Sequence, residues 1–164
     1  MRAKKETIAL LYHATGTGKT VTAVMDAKCC GGRVLFMAHT MELVNQAFAT
    51  FETLWDDVSV GKFADSIKNT ESHVVCGSIQ SVALNLDIFK DDDFDYIIID
   101  EAHHASADTY QKVLAYFKPN LFLVLPLLLS VQTIQTFLKS SRTQHINWIF
   151  RLPLKLVLLY LFAA

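Results

Sequence analysis

Acidic residues run out two-thirds of the way along this chain. All 16 aspartates and glutamates of the 164 residues lie at or before Asp108, and the 56 positions after it hold none. Cysteine is scarce too. Cys29, Cys30 and Cys76 have no CxxC spacing, and the adjacent pair cannot easily bridge itself. A disulfide framework is therefore not expected, and a reducing, cytoplasmic setting is the natural reading. Charge of either sign is not in excess, the formal net charge being −1, so contact with nucleic acid has to come from a local surface. Residues 1–6 run into a strand-like segment too soon for a secretory signal. Long apolar runs are missing as well. A membrane-spanning helix needs about 20 predominantly apolar residues. Residues 121–131 offer eleven, and 148–164 are broken by Arg151, Pro153 and Lys155. No stable membrane insertion is expected; an interfacial segment is the alternative.

What is present is concentrated in short stretches. The apolar run Ile8-Ala9-Leu10-Leu11-Tyr12 leads directly into His13-Ala14-Thr15-Gly16-Thr17-Gly18-Lys19-Thr20. A strand-length run, a glycine-bearing turn and Lys-Thr opening a helical pattern form the layout of a phosphate-binding loop. Glycines let the backbone close around a phosphate chain with several N–H groups turned inward, and the following helix adds the positive end of its dipole. Ala14, Thr15, Gly16, Thr17 and Gly18 would cradle the phosphates of ATP. Lys19 would reach the β- and γ-phosphates, and the Thr20 hydroxyl would complete a Mg²⁺ shell. His13 stands where the general pattern has its first glycine. The plainer alternative is a glycine-rich turn ending in a solvated lysine.

From the start to about residue 123 strands and helices alternate. Residues 7–12, 34–38, 58–62, 73–77 and 94–99 read as strands, and another begins at 121–123. Helices are expected over 19–28, ended by Gly31-Gly32, after a cap at Thr40, after Ser78, and over 107–117, stopped by Pro119-Asn120. In the second helix Leu43, Val44, Ala47, Phe48 and Phe51 keep helical spacing. Asp91-Asp92-Asp93 reads as a solvated loop. This order implies an α/β fold, a three-layer arrangement with a mostly parallel sheet covered on both faces. Ligands in such folds bind at the carboxyl ends of the strands.

A second chemical feature falls at that same edge. Asp100-Glu101 follows the apolar run Tyr96-Ile97-Ile98-Ile99. A carboxylate ending a buried strand can hold Mg²⁺, and an adjacent one can orient and deprotonate an attacking water. Adjacent acids also occur as solvated turn residues. The pairing with the upstream loop favours chemistry, because loop lysine, metal and water-activating acid form a near-minimal set for phosphoryl transfer.

ATGTGKT at 14–20, FMAHTMELVNQA at 36–47, GSIQSV at 77–82 and DEAH at 100–103 occur in this order. Together they resemble superfamily-two helicases with a DEAD/DEAH-type box, and most of all the restriction-enzyme branch, the type III res subunit and type I R subunit relatives. The resemblance covers residues 1–123 and implies the first RecA-like, ATP-binding domain of a DNA helicase or translocase acting on double-stranded DNA, with restriction-modification subunits as partners. It implies nucleic-acid contacts from around His39, Thr40 and Glu42 and from Ser78 to Gln80, with Thr40 replacing an arginine often found there. Helix capping by Thr40 and Ser78 is the structural alternative, and both roles can coexist. The resemblance also assigns His103 to coupling the nucleotide site to a downstream Ser/Thr-Ala-Thr motif. A zinc site at His103 and His104 is a poor alternative without cysteine partners. His13 and His73 read as structural or incidental.

After Leu123 the family pattern stops. In place of a Gly-Leu-Thr-Ala-Thr-Pro-Glu-Arg-like segment the chain reads Val124-Leu125-Pro126-Leu127-Leu128-Leu129-Ser130-Val131. The codons GGT CTT ACC GCT ACT CCT GAG CGT ACA encode the family-like peptide, and read from their second base they give VLPLLLSV. Codons for Thr-Asp-Asn-Thr-Asp-Ile-Phe-Glu-Lys read in the same shifted frame give QTIQTFLKS, the sequence at 132–140. Residues 124–164 are therefore expected to be an out-of-frame tail, apolar and irregular, joined to an incomplete domain. With neither a second RecA-like domain nor the adenine-contacting segment before the loop, such a chain would bind nucleotide with little or no motor activity. A phosphate-loop ATPase that is not a helicase, and a product of a broken gene without function, are the other readings.

Overall fold

The computed structural model describes residues 7–11, 18–64, 67–100, 107–125 and 146–149. Strand and helix alternate as β1 (Thr7–Leu11), α1 (Lys19–Cys30), β2 (Val34–Ala38), α2 (Met41–Leu54), β3 (Val60–Ala64), β4 (Ile67–Lys68), β5 (Val74–Ser78), α3 (Ile79–Leu84), a 3-10 turn (Leu86–Ile88), β6 (Tyr96–Asp100), α4 (Ala107–Tyr116), β7 (Leu121–Leu125) and β8 (Ile146–Ile149). The sheet has the order β4-β3-β5-β2-β6-β7-β1-β8. Among the described residues only the β3–β4 pairing is antiparallel.

Side chains alternate across a strand, and here the two sets meet different helices. Leu35, Met37, Val75, Ile97, Ile99, Phe122 and Val124 face α3 and α4, where Ile79, Val82, Tyr110, Val113 and Phe117 complete the layer. Val34, Phe36, Val74, Cys76, Tyr96, Ile98 and Leu123 face α1 and α2, meeting Ala23, Val24 and Ala27 of the first and Val44, Ala47 and Phe51 of the second. A three-layer α/β/α sandwich follows from that parity. Each large apolar side chain so buried contributes about 1.5–3 kcal/mol.

Small residues on α1 let it lie close to the sheet. At its end Gly31 and Gly32 take φ of 68° and 84°, and a Cβ on Gly32 would stand 2.8 Å from that of Asp95. The next residue ties the amino ends of three strands together. Arg33 donates its backbone N–H to Asp95 (3.1 Å) and its Nε to the Ser72 carbonyl (3.2 Å), with its guanidinium 4.8 Å from the Phe94 ring centre.

The expected strands and helices are present, with β3 displaced two residues toward the C-terminus of its expected span. Two short strands add to them. β4 has two residues, too few to carry a period. β8 pairs with β1 from within the acid-free tail. No helix among the described residues is long and apolar enough to cross a membrane.

Candidate functional site

The carboxyl ends of β1, β2, β5 and β6 lie on one edge of the sheet, because all four strands run in the same direction. Gly18 begins α1 in the left-handed region, φ 78° and ψ 32°, and its carbonyl accepts the Thr22 N–H at 2.9 Å. α1 has no side-chain cap and no acidic residue in its first turn. By contrast, α2 has Thr40 as its cap and Glu42 in its first turn. The first turn of α1 thus carries no acidic side chain of its own against the positive end of the helix dipole, which suits an anion. Lys19 and Thr20 are half-buried on that first turn. Loop residues Ala14, Thr15, Gly16 and Thr17 lie outside the described residues, as does His13.

Asp100 ends β6, opposite Leu125 of β7. It is 6% exposed. A carboxylate so placed is held only where cations or hydrogen-bond donors compensate it. Glu101, His103 and His104 lie outside the described residues.

Across the sheet from Asp100, the turn after β2 and the start of α3 meet. Ala38 and Ser78 are register partners. The Gln80 amide nitrogen and His39 Nδ1 share a hydrogen bond at 2.7 Å. Thr40 Oγ1 accepts the Leu43 N–H at 3.4 Å. Ser78 Oγ accepts the Ser81 N–H at 3.2 Å and donates to Ser81 Oγ at 2.8 Å. Both capping roles are therefore real, and Thr40 is exposed while Ser78 is buried. Close packing fixes this corner. A Cβ on Gly77 would lie 2.7 Å from the Phe63 carbonyl oxygen and 3.2 Å from Val82, so only glycine lets β5 approach β3 there.

His73 stands at the opposite end of β5, its ring edge-on to Trp55 with centroids 5.3 Å apart. It belongs to the packing of that end and lies away from the carboxyl edge. The His39–Gln80 bond and a buried link between Tyr96 and Asp26 escaped sequence reasoning. No periodic or motif signal marks either one.

A phosphate-loop helix and a strand-terminal carboxylate on one edge of this sheet, with the β2 and β5 turns beside them, define a superfamily-two, RecA-like helicase domain. Residues 1–126 match the family model "Type III restriction enzyme, res subunit", and the chain belongs to that family. IRC3 of Saccharomyces cerevisiae, a candidate ATP-dependent helicase, is 35% identical over 88 residues, which are 51% of this chain and 12% of its own length. A hypothetical ATP-dependent RNA helicase from Sulfolobus tokodaii superposes with a TM-score of 0.74 at 15% identity, over 85% of this chain and 47% of its own. The SWI2/SNF2 ATPase core of Sulfolobus solfataricus, solved with double-stranded DNA, superposes with a TM-score of 0.67 at 18% identity, over 82% of this chain and 31% of its own. The chain thus spans about an eighth of its curated relative and less than half of each solved chain.

Proposed function

We propose that this chain is the ATP-binding domain of an ATP-dependent DNA helicase or translocase of restriction-enzyme type. One observation carries the reading: uncapped α1, with Lys19 and Thr20 on its first turn, and buried Asp100 at the end of β6 share one sheet edge. The donor set fits a magnesium nucleotide. Backbone N–H groups from Ala14 to Gly18 and the Lys19 ammonium suit phosphate oxygens, while the Thr20 hydroxyl and Asp100 carboxylate are hard oxygen ligands of the kind Mg²⁺ takes. Bound Mg²⁺ neutralises charge developing on the phosphates. Lys19 would hold the transferring phosphate, Glu101 would orient and deprotonate the attacking water, and His103 would couple the site to nucleic acid.

His39, Thr40, Ser78 and Gln80 would form the nucleic-acid surface, reached through the β2 and β5 turns. DNA is favoured over RNA by membership of a restriction-enzyme family, and double-stranded DNA is the ligand of one structural neighbour. Restriction-modification subunits are the corresponding partners. Motors of this kind close two RecA-like domains around ATP, so turnover by the 1–123 domain tested by itself should be weak.

Residues 1–123 are the functional unit in this reading, and 124–164 are an out-of-frame tail. The shifted codon reading, the loss of acidic residues after Asp108 and a family match that stops at residue 126 support this division. Sequencing the gene through codon 124 tests it. An open second frame continuing with a Thr-Ala-Thr-Pro-like segment is expected, and early stops in both other frames would overturn it.

The function itself is tested by binding of a fluorescent ATP analogue with Mg²⁺, together with ATP turnover with and without duplex DNA or RNA. Binding is expected for the natural chain and its loss for Lys19→Ala, with little turnover. Strong turnover stimulated by nucleic acid and abolished by Lys19→Ala would overturn the assignment of weak activity. Binding indifferent to Lys19→Ala would overturn the nucleotide site.

A further inference from the structure

The two elements that bring phosphate and metal ligands to the sheet edge are tied together far from it. Tyr96, the first residue of β6, is 1% exposed, and its hydroxyl donates to Asp26 Oδ2 of α1 at 2.6 Å. Asp26 lies seven residues beyond Lys19 on α1, and Tyr96 lies four residues before Asp100 on β6. At about 1.5 Å per helical residue and 3.3 Å per strand residue, the bond is roughly 10–13 Å from the site along each element. α1 leaves the carboxyl edge while β6 runs toward it, so the bond closes the far end of a bracket whose open end is Lys19, Thr20 and Asp100.

Apolar packing alone would fix this bracket loosely. α1 meets the sheet through Ala23, Val24 and Ala27, small side chains over which a helix can slide along its axis. A hydrogen bond to a carboxylate is directional and short, and it selects one axial position. The ring of Tyr96 fills core volume that phenylalanine would fill equally; its hydroxyl serves Asp26. Burial, and then the bond to Asp26, push the phenol far above the ordinary tyrosine range, so it remains a donor at any physiological pH.

We propose that Tyr96 and Asp26 are positioning residues that set the axial register of α1 against β6, and with it the spacing of Thr20 and Asp100 across which a divalent cation is shared. The proposal rests on the nucleotide-site reading above, and its test separates the two.

Affinity of the full chain for a fluorescent ADP is measured in Mg²⁺ and in EDTA for the natural protein, Tyr96→Phe, Asp26→Asn, Asp26→Ala and Lys19→Ala. Tyr96→Phe and Asp26→Ala are expected to keep EDTA affinity within about twofold while losing about tenfold of the Mg²⁺ enhancement, as when an outer-shell partner of a metal site is removed. Asp26→Asn, which retains an acceptor for the hydroxyl, should recover it. A full Mg²⁺ enhancement in folded Tyr96→Phe and Asp26→Ala, or equal losses in Mg²⁺ and EDTA, would overturn the positioning role. Asp26→Ala changes a part-buried residue at the helix surface and keeps the test open if Tyr96→Phe fails to fold. Loss of binding in Lys19→Ala upholds the underlying site; unchanged binding there overturns the site itself.

Discussion

Tyr96 joins stability to pH at a single group. Its phenol is raised in the folded state, first by burial and then by the bond to Asp26, whereas an unfolded tyrosine ionises near about 10. The resulting stabilisation is complete below that value and is lost as pH rises beyond it. Urea unfolding from pH 8 to 11 should therefore show stability falling above about 10. Tyr96→Phe, with no proton to lose, should show a shallower fall, and an unchanged alkaline slope would contradict the buried donor. Asp91 shows the opposite sign. The hydrogen bond from Lys118 lowers its carboxyl, so its contribution is present above the unfolded carboxylate value and disappears as pH falls through the lower folded one. That pair is exposed and its effect is screened. Burial, opposed by the Lys62 charge, pushes the Cys76 thiol well above the usual range.

At the level of elements, Gly77 is a position where backbone packing admits no side chain. The Cβ of Gly77→Ala would press on the Phe63 carbonyl oxygen at 2.7 Å, a backbone atom that cannot turn aside. Overpacking of this kind costs about 1–3 kcal/mol, readable as a lowered urea midpoint. Because Gly77 precedes the Ser78 cap and the Gln80–His39 bond, the same substitution should weaken any nucleic-acid effect on nucleotide binding. A midpoint equal to that of the natural protein would contradict the close approach of β3 and β5. Elements with a full period were legible in the sequence. Leu43, Val44, Ala47, Phe48 and Phe51 mark α2, and Val44, Ala47 and Phe51 are indeed buried. Thr40 and Ser78 announced their helices as caps. β4 was not legible, since two residues display no alternation, and β8 is four residues long, too short for a strand period to stand out. The displacement of β3 has a similar cause, because Val58 and Val60 alternate as a strand would, while Gly61 and Phe63, buried together on the other face, offer a single apolar side chain.

For the whole molecule, the site was legible to the extent that topology alone places it. A parallel sheet sends every carboxyl end to one edge, so recognising the strands is enough to put Lys19 and Asp100 on that edge. The contacts within that edge were not legible. His39 and Gln80 stand 41 residues apart, and Tyr96 and Asp26 stand 70 apart. Such pairs depend on the order of strands β5-β2-β6, which no local pattern encodes. Sharing of one metal nucleotide by residues from two distant parts of the chain is tested most directly by binding of Mn²⁺ followed by electron paramagnetic resonance in the presence of ADP. A shared site predicts that Asp100→Asn weakens Mn²⁺ binding about tenfold or more while leaving metal-free ADP binding intact, and that Lys19→Ala removes the nucleotide. Mn²⁺ affinity in the ADP complex that is indifferent to Asp100 would contradict it.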